Sequence, residues 1–375
     1  MSSAQTLPAT LLVAAEQRRT CDKLQDWLPV WQASQASHAA LGTFTATVLS
    51  SLPADRLAWA FFSGYQGALQ AAFGIAAGSV GAFAANETQR KLTGIDTVIH
   101  QRGRDIVLTG NKSWILTGFD ELTLFVLARR ADGPTSGPGS LSVVRTSLTN
   151  SGVVPELRRT QVVVPELPHS AVRFDSTPLA PGDVLPGDGY SDYAKPFRLR
   201  EDVFVTGAVL GYLFAEAREG SWPTRWCQRA MAALSLLEVC SRGDPRTSET
   251  VILVAGALSF AGDVIREAES LWTSDQSRAR DRWLRDKAIL EIGKEARRQR
   301  AVRSWESQRG SAAMTDSSSR SSASAFSDCS ARNEPCLGLA SQDQTGKHLP
   351  RTIDPTAKLR RCSAPIPLID PPPQR

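Results

Sequence analysis

Histidine, methionine and tyrosine are scarce in this chain (four, three and four), and its six cysteines are scattered. Cys21, Cys227, Cys240, Cys329, Cys336 and Cys362 contain no Cys-x-x-Cys pair and have no nearby histidines in a metal-ligand pattern. That excludes the usual metal frames, and no metal is expected. Isolated cysteines read as free thiols of a reducing compartment. The opening Met1-Ser2-Ser3-Ala4-Gln5 lacks a basic segment followed by an apolar one. A cytoplasmic location is therefore expected. No Gly-x-Gly-x-x-Gly or P-loop pattern occurs, and Gly74, Gly78 and Gly81 have the wrong spacing and no preceding strand. His169 has no visible serine or cysteine partner, so a hydrolytic triad has no support. The net charge is only +5, and Lys and Arg gather mainly between Arg278 and Arg303, interleaved with Asp281, Asp286, Glu291 and Glu295. Such mixing describes a solvated helix, and no nucleic-acid partner is expected.

Charge is missing altogether between Arg56 and Glu87. The length would accommodate a membrane span. The segment holds Gly64, Gly67, Gly74, Gly78 and Gly81, many alanines, and Ser63, Gln66, Gln70 and Ser79, with weak flanking anchors. A buried helix or helix pair in which small residues allow close approach explains it better, and no membrane span is expected.

Hydrophobic residues make up 42% of the 375, ample for a packed core. Leu11, Leu12 and Ala15, then Leu24, Trp27, Leu28 and Trp31, recur at helical spacing. Pro53-Ala54-Asp55 reads as a helix start. From Gly94 to about Thr177 the period changes to two. The runs there are separated by Gly-Arg-Asp, Gly-Asn-Lys and the turn-rich Asp132 to Gly139. After a loop from Pro181 to Tyr193 the helical period returns with Val203, Val205, Val209, Leu210 and Leu213. Further helices are expected near 223–240, 246–272 and 278–305, with a break at Pro245. The fold class is α+β: an N-terminal helical domain (1–92), a middle β-domain forming a small barrel or sandwich (93–180), and a C-terminal helical bundle (181–306). Residues 307–375 include Ser317-Ser318-Ser319-Arg320-Ser321-Ser322-Ala323-Ser324 and the run Pro371-Pro372-Pro373. They read as a disordered low-complexity tail.

The α–β–α order, Lys112-Ser113-Trp114-Ile115, Leu124-Phe125-Val126-Leu127-Ala128-Arg129 and the return strand Ala171-Val172-Arg173-Phe174 resemble the acyl-CoA dehydrogenase family. So do Leu185-Pro186-Gly187-Asp188-Gly189-Tyr190, Lys195-Pro196-Phe197-Arg198 and Glu201-Asp202, which look like the entry into that family's C-terminal helices. The likeness covers about residues 5 to 306.

The resemblance implies an FAD cofactor, an acyl-CoA substrate and an electron-transfer acceptor protein, with a homo-oligomer as a possible assembly. It implies two-step chemistry: a carboxylate removes the proton alpha to the thioester, and the beta hydrogen leaves as hydride to the flavin. Alpha-proton abstraction wants a base whose pKa is raised by a dry pocket. Trp114 is the residue expected against the flavin; by itself it would read as a core tryptophan of a β-domain. Ile115 and Thr117 accompany it as cofactor-binding candidates. Leu116 departs from the family, which has Thr or Ser there. Asn86 and Thr88 stand in the family's flavin loop, where Gln89-Arg90-Lys91 replace the usual Gly-Ser-Asp. Glu201 is the candidate base, placed in the first turn of the helix after the β-domain as in one branch of the family. An acidic residue there is also what the helix dipole favours, and the dipole lowers a carboxylate's pKa. Glu238, Glu267 and Glu269 are residual candidates. Arg198 and Lys195 are expected at the CoA phosphates or simply on the surface.

A second reading keeps the fold without the catalysis. In it, the chain is a flavin- or acyl-CoA-binding partner subunit. Leu116, the missing late glutamate near a Gly-Gly pair and the short C-terminal domain favour it.

Overall fold

Two helices far apart in the sequence cross at the centre of the protein. Helix α4 is Leu57–Phe73 and helix α5 is Lys195–Glu219. A Cβ on Gly64 of α4 would collide with the backbone of Val205 in α5. Likewise, one on Gly207 would lie 2.6 Å from the Phe44 ring of helix α3, Thr43–Leu49. Hydrogen side chains at these two points let the α4 and α5 backbones meet and seat the Phe44 ring against α5. This explains the missing charges after Arg56: Leu57, Ala58, Trp59, Ala60, Phe62, Ala68 and Leu69 are buried on all sides.

The computed structural model describes residues 6–14, 17–87, 95–103, 105–157 and 162–324. Residues Met1–Ser319 form one compact unit; of the second, Arg320–Arg375, residues 320–324 are described and helical. Helices α1 (Leu7–Val13) and α2 (Leu24–His38) precede α3. Leu11, Leu24, Trp27 and Trp31 are buried as their spacing predicts. Trp27 and Trp59 stack with centroids 5.7 Å apart, tying α2 to α4. α4 begins at Leu57 rather than at Pro53. Asp55 does not cap it, because Arg56 Nε donates to its carboxylate at 2.9 Å and Arg282 lies 3.4 Å away.

The strands are β1 (Gly81–Ala84), β2 (Val98–Arg102), β3 (Asp105–Leu116), β4 (Thr123–Arg130), β5 (Leu141–Ser147), β6 (Val153–Leu157) and β7 (His169–Leu179). They form one mixed seven-stranded sheet in the order β1-β4-β2-β3-β7-β6, with β5 on β4. One edge of β4 is shared, its start pairing parallel with β1 and its end parallel with β2. Strand structure thus begins at Gly81, ahead of the expected boundary at 93. β1 is buried at every position, so it shows no alternation to read.

Gly-Asn-Lys is not a turn. Gly110, Asn111 and Lys112 lie inside the long strand β3, and the hairpin turns at Gly103 instead. Gly110 has φ 135°, and a Cβ there would sit 2.5 Å from Thr97 Cα. Glycine marks an irregular strand pressed against a neighbour, with a register shift between Leu108 and Gly110.

Helices α6 (Thr224–Ser241) and α7 (Ser248–Ala268) pack beside α5, followed by α8 (Ser277–Asp286) and α9 (Lys294–Ser324). Among the described residues, α7 alone is long and apolar enough to cross a membrane by length and composition. Its residues Val251, Val254, Ala257, Ala261, Val264 and Ala268 form a buried stripe at helical spacing. α9 continues past 306, where a tail without structure is expected; the rest of that expectation, residues 325–375, lies outside the described residues.

Candidate functional site

Trp114 is the most unusual residue of the sheet. Its φ is 61°, in the left-handed region, and the register of β3 against β7 shifts between Lys112 and Ile115. The bulge breaks the alternation and throws the indole out of the strand, leaving it 46% exposed. A bulky side chain held in that conformation costs on the order of 1–2 kcal/mol. Strain combined with an exposed aromatic is a frequent mark of a ligand site.

The indole faces a small cleft of about 100 Å³, partly open to solvent. Phe61, Phe62 and Tyr65 of α4 form one wall, Phe83, Ala85 and Asn86 another, and Phe197, Arg198 and Glu201 of α5 a third. Leu116, Leu167 and His169 complete it beside Trp114. The Phe83 and Phe197 rings meet edge to face at 5.0 Å, joining strand and helix.

Glu201 is in the second turn of α5, not the first: a π-helical turn, Gly189–Ala194, leads directly into the helix. The Asp188 carboxylate anchors that turn, accepting from Ser191 N at 2.7 Å, Tyr190 N at 3.1 Å and Gly139 N at 2.8 Å. Arg198 Nη1 donates to Glu201 Oε2 at 3.2 Å. Burial pushes the Glu201 carboxyl above its usual range; Arg198 opposes this and Asp202 adds to it. Desolvation therefore outweighs the ion pair. Asp202 is engaged elsewhere, by Arg297 at 3.1 Å and by Arg300 of α9.

Asn86 is fixed from both ends. Its carbonyl accepts from Ser113 N at 2.9 Å, and its Oδ1 accepts from Arg198 Nη2 at 3.3 Å. The next residue, Glu87, accepts from Lys112 Nζ at 2.6 Å, Thr97 Oγ1 at 2.7 Å and Asp96 N at 2.7 Å. Burial alone would raise Glu87, but the Lys112 charge and these donors hold it below its ordinary value. Burial brings Lys112 down to about 8 against the opposing pull of Glu87. The pair staples Asn86 to the strand that carries Trp114.

The structure thus brings together Trp114, Asn86, Arg198 and Glu201. The other expected residues lie elsewhere. Ile115 is buried in the core. Thr117 is buried, its hydroxyl 2.8 Å from Ser170 Oγ and its N–H donating to Pro168 O at 2.9 Å. The bulge at Trp114 shifts the register, so neighbours in sequence do not share its surroundings. Lys195 is exposed and outside the cleft lining. Thr88 lies outside the described residues. Phe61, Phe62, Tyr65, Phe83 and Leu167 are lining residues that the sequence does not single out. Tyr65 had one signal, a lone phenol in a charge-free segment.

Helices before and after a seven-stranded sheet, with the cleft at their junction, make up the acyl-CoA dehydrogenase fold. Butyryl-CoA dehydrogenase from Megasphaera elsdenii is 15% identical, with a TM-score of 0.55 over 76% of this chain and 98% of that one. The prolyl acyl carrier protein oxidase AnaB is 14% identical, with a TM-score of 0.56 over 80% and 95%. FMN-bound TdsC from Paenibacillus sp. A11-2 is 13% identical, with a TM-score of 0.54 over 70% and 83%. No family model matches the sequence, and no curated protein matches it.

Proposed function

We propose that this chain is a flavin-dependent dehydrogenase of acyl thioesters, with Glu201 as base. The observation that carries the reading is the meeting of a strained, outward-facing indole and a carboxyl of raised pKa in one cleft. The residues fit a flavin ring. Trp114 offers a flat face, while the Asn86 amide and the Arg198 guanidinium offer donors beside it. Leu116 places a methyl-bearing wall where the family has a hydroxyl, so the donors come from Asn86 and Arg198 instead.

When bound, FAD or a related flavin would accept the hydride from the beta carbon. The chain's own work is to hold the thioester, exclude water and take the proton. The Cα–H bond breaks, its proton passes to the Glu201 carboxylate, and its electron pair moves toward the carbonyl. Burial beside the phenylalanine walls raises its affinity for the proton. The Arg198 charge opposes that rise and favours the ionised form. Acyl-CoA is the first substrate to test, with an electron-transfer acceptor to reoxidise the flavin.

The test is anaerobic bleaching of the purified protein's flavin band by acyl-CoA. Glu201→Gln is expected to keep the colour and lose the bleaching. Bleaching that survives in the variant removes Glu201 from the base position, and colourless protein that cannot be reconstituted with FAD ends the reading. Leu116 favours the second reading, a non-catalytic partner subunit. Coloured protein that binds acyl-CoA without bleaching is the outcome expected from it.

A further inference from the structure

Tyr65 sits in the cleft wall with Glu201 and has no part in the chemistry so far described. Its hydroxyl oxygen accepts from Phe83 N at 2.9 Å, a bond made by the backbone of β1. Its ring stands edge-on to Phe197 at 6.0 Å, with an interplanar angle of 89°. These two contacts fix the ring and define the role of the oxygen: one lone pair is taken by the N–H. The hydroxyl proton must then point elsewhere. Among the described residues nothing accepts it. Burial and the neighbouring Glu201 charge raise the phenol well above its ordinary value, so the proton stays in place across the working pH range.

We propose that Tyr65 donates a hydrogen bond to the thioester carbonyl oxygen of the substrate while Glu201 removes the adjacent proton. This rests on the reading of Glu201 as base. In the step, the Cα–H bond breaks, the proton goes to Glu201, and the electron pair is delocalised onto the carbonyl oxygen as an enolate. The Tyr65 O–H bond stays intact and its hydrogen bond strengthens as the oxygen gains charge. A donor fixed before the reaction needs no reorganisation when that charge develops. Arg198 is directed toward Glu201 and Asn86 by its Nη1 and Nη2 bonds.

The experiment is deuterium exchange at the alpha carbon of butyryl-, octanoyl- and palmitoyl-CoA in D2O, followed by NMR. It reads proton abstraction without requiring net oxidation. Tyr65→Phe keeps the ring, and circular dichroism checks its fold. The expected result is exchange by the wild type, slowed by about 10²- to 10³-fold in Tyr65→Phe with thioester affinity nearly unchanged. Exchange within about threefold of wild type overturns the Tyr65 assignment and leaves Glu201 as base. No exchange by the wild type on any of the three thioesters overturns the base reading and this one with it. Where Tyr65→Phe fails to fold, 3-fluorotyrosine at position 65, a stronger donor of nearly the same shape, is expected to change the rate several-fold. An unchanged rate then overturns the assignment.

Discussion

Arg198 joins two residues that the sequence separates widely: its Nη1 donates to Glu201 Oε2 at 3.2 Å and its Nη2 to Asn86 Oδ1 at 3.3 Å. The Glu201 carboxyl is raised by burial and held back by this guanidinium. Only the ionised carboxylate can take a proton, so activity rises with pH through the Glu201 pKa. Arg198→Gln removes the opposing charge and leaves burial unanswered. Its acid limb is expected to move to higher pH, measured as the pH profile of kcat/KM for bleaching. A limb that stays put or moves down separates Arg198 from the base.

Trp114 allows strain and stacking to be tested separately. Trp114→Ala keeps the left-handed backbone and removes the ring. It is expected to weaken flavin binding by up to about tenfold, read by fluorescence titration. Trp114→Gly loses the same ring but relieves the backbone, and is expected to be about 1 kcal/mol more stable than Trp114→Ala in urea. Equal stability of the two variants contradicts the strain assigned to φ 61°.

The buried Lys112–Glu87 pair, joined at 2.6 Å, suits a double-mutant cycle. Glu87→Gln or Lys112→Met alone leaves its partner without an opposite charge and is expected to cost about 3–5 kcal/mol by urea denaturation. The double variant is expected to be more stable than either single one. Additive costs would deny the coupling that staples Asn86 to β3.

His169 supplies a pH test of stability. Burial lowers its pKa despite the 2.8 Å contact of Nδ1 with Leu167 O. The unfolded chain therefore takes up the proton at higher pH than the folded one. Stability is complete above the ordinary imidazole value and falls as pH drops through the folded one. His169→Gln has no such proton to gain, so its melting temperature is expected to fall less than that of the wild type between neutral and mildly acidic pH. Parallel curves would show that His169 titrates alike in both states.

Local periodicity was enough to reveal the helix carrying Trp27 and Trp31, the apolar strand around Phe125, and the order of helix, sheet and helix. These follow from which side chains can be buried by one element at a time. The motif around Trp114 was also readable, because an aromatic beside Lys112 and Ser113 is a local pattern. What periodicity could not reveal was that Gly110 to Lys112 continues a strand, since the reason lies in Thr97 pressing on Gly110 from another segment. Nor could it separate Trp114 from Ile115 and Thr117: the bulge that turns one outward and leaves the others buried is set by pairing with β7.

Composition and spacing by themselves determined the helical and strand classes and the charge-free α4, while the candidacy of Glu201 came from the family resemblance. Only the tertiary structure decided that burial raises the Glu201 carboxyl, that Arg198 links it to Asn86, and that Tyr65 lines the same cleft. Desolvation and donor direction depend on atoms contributed by α4, β1 and α5 together, and no single segment contains that information.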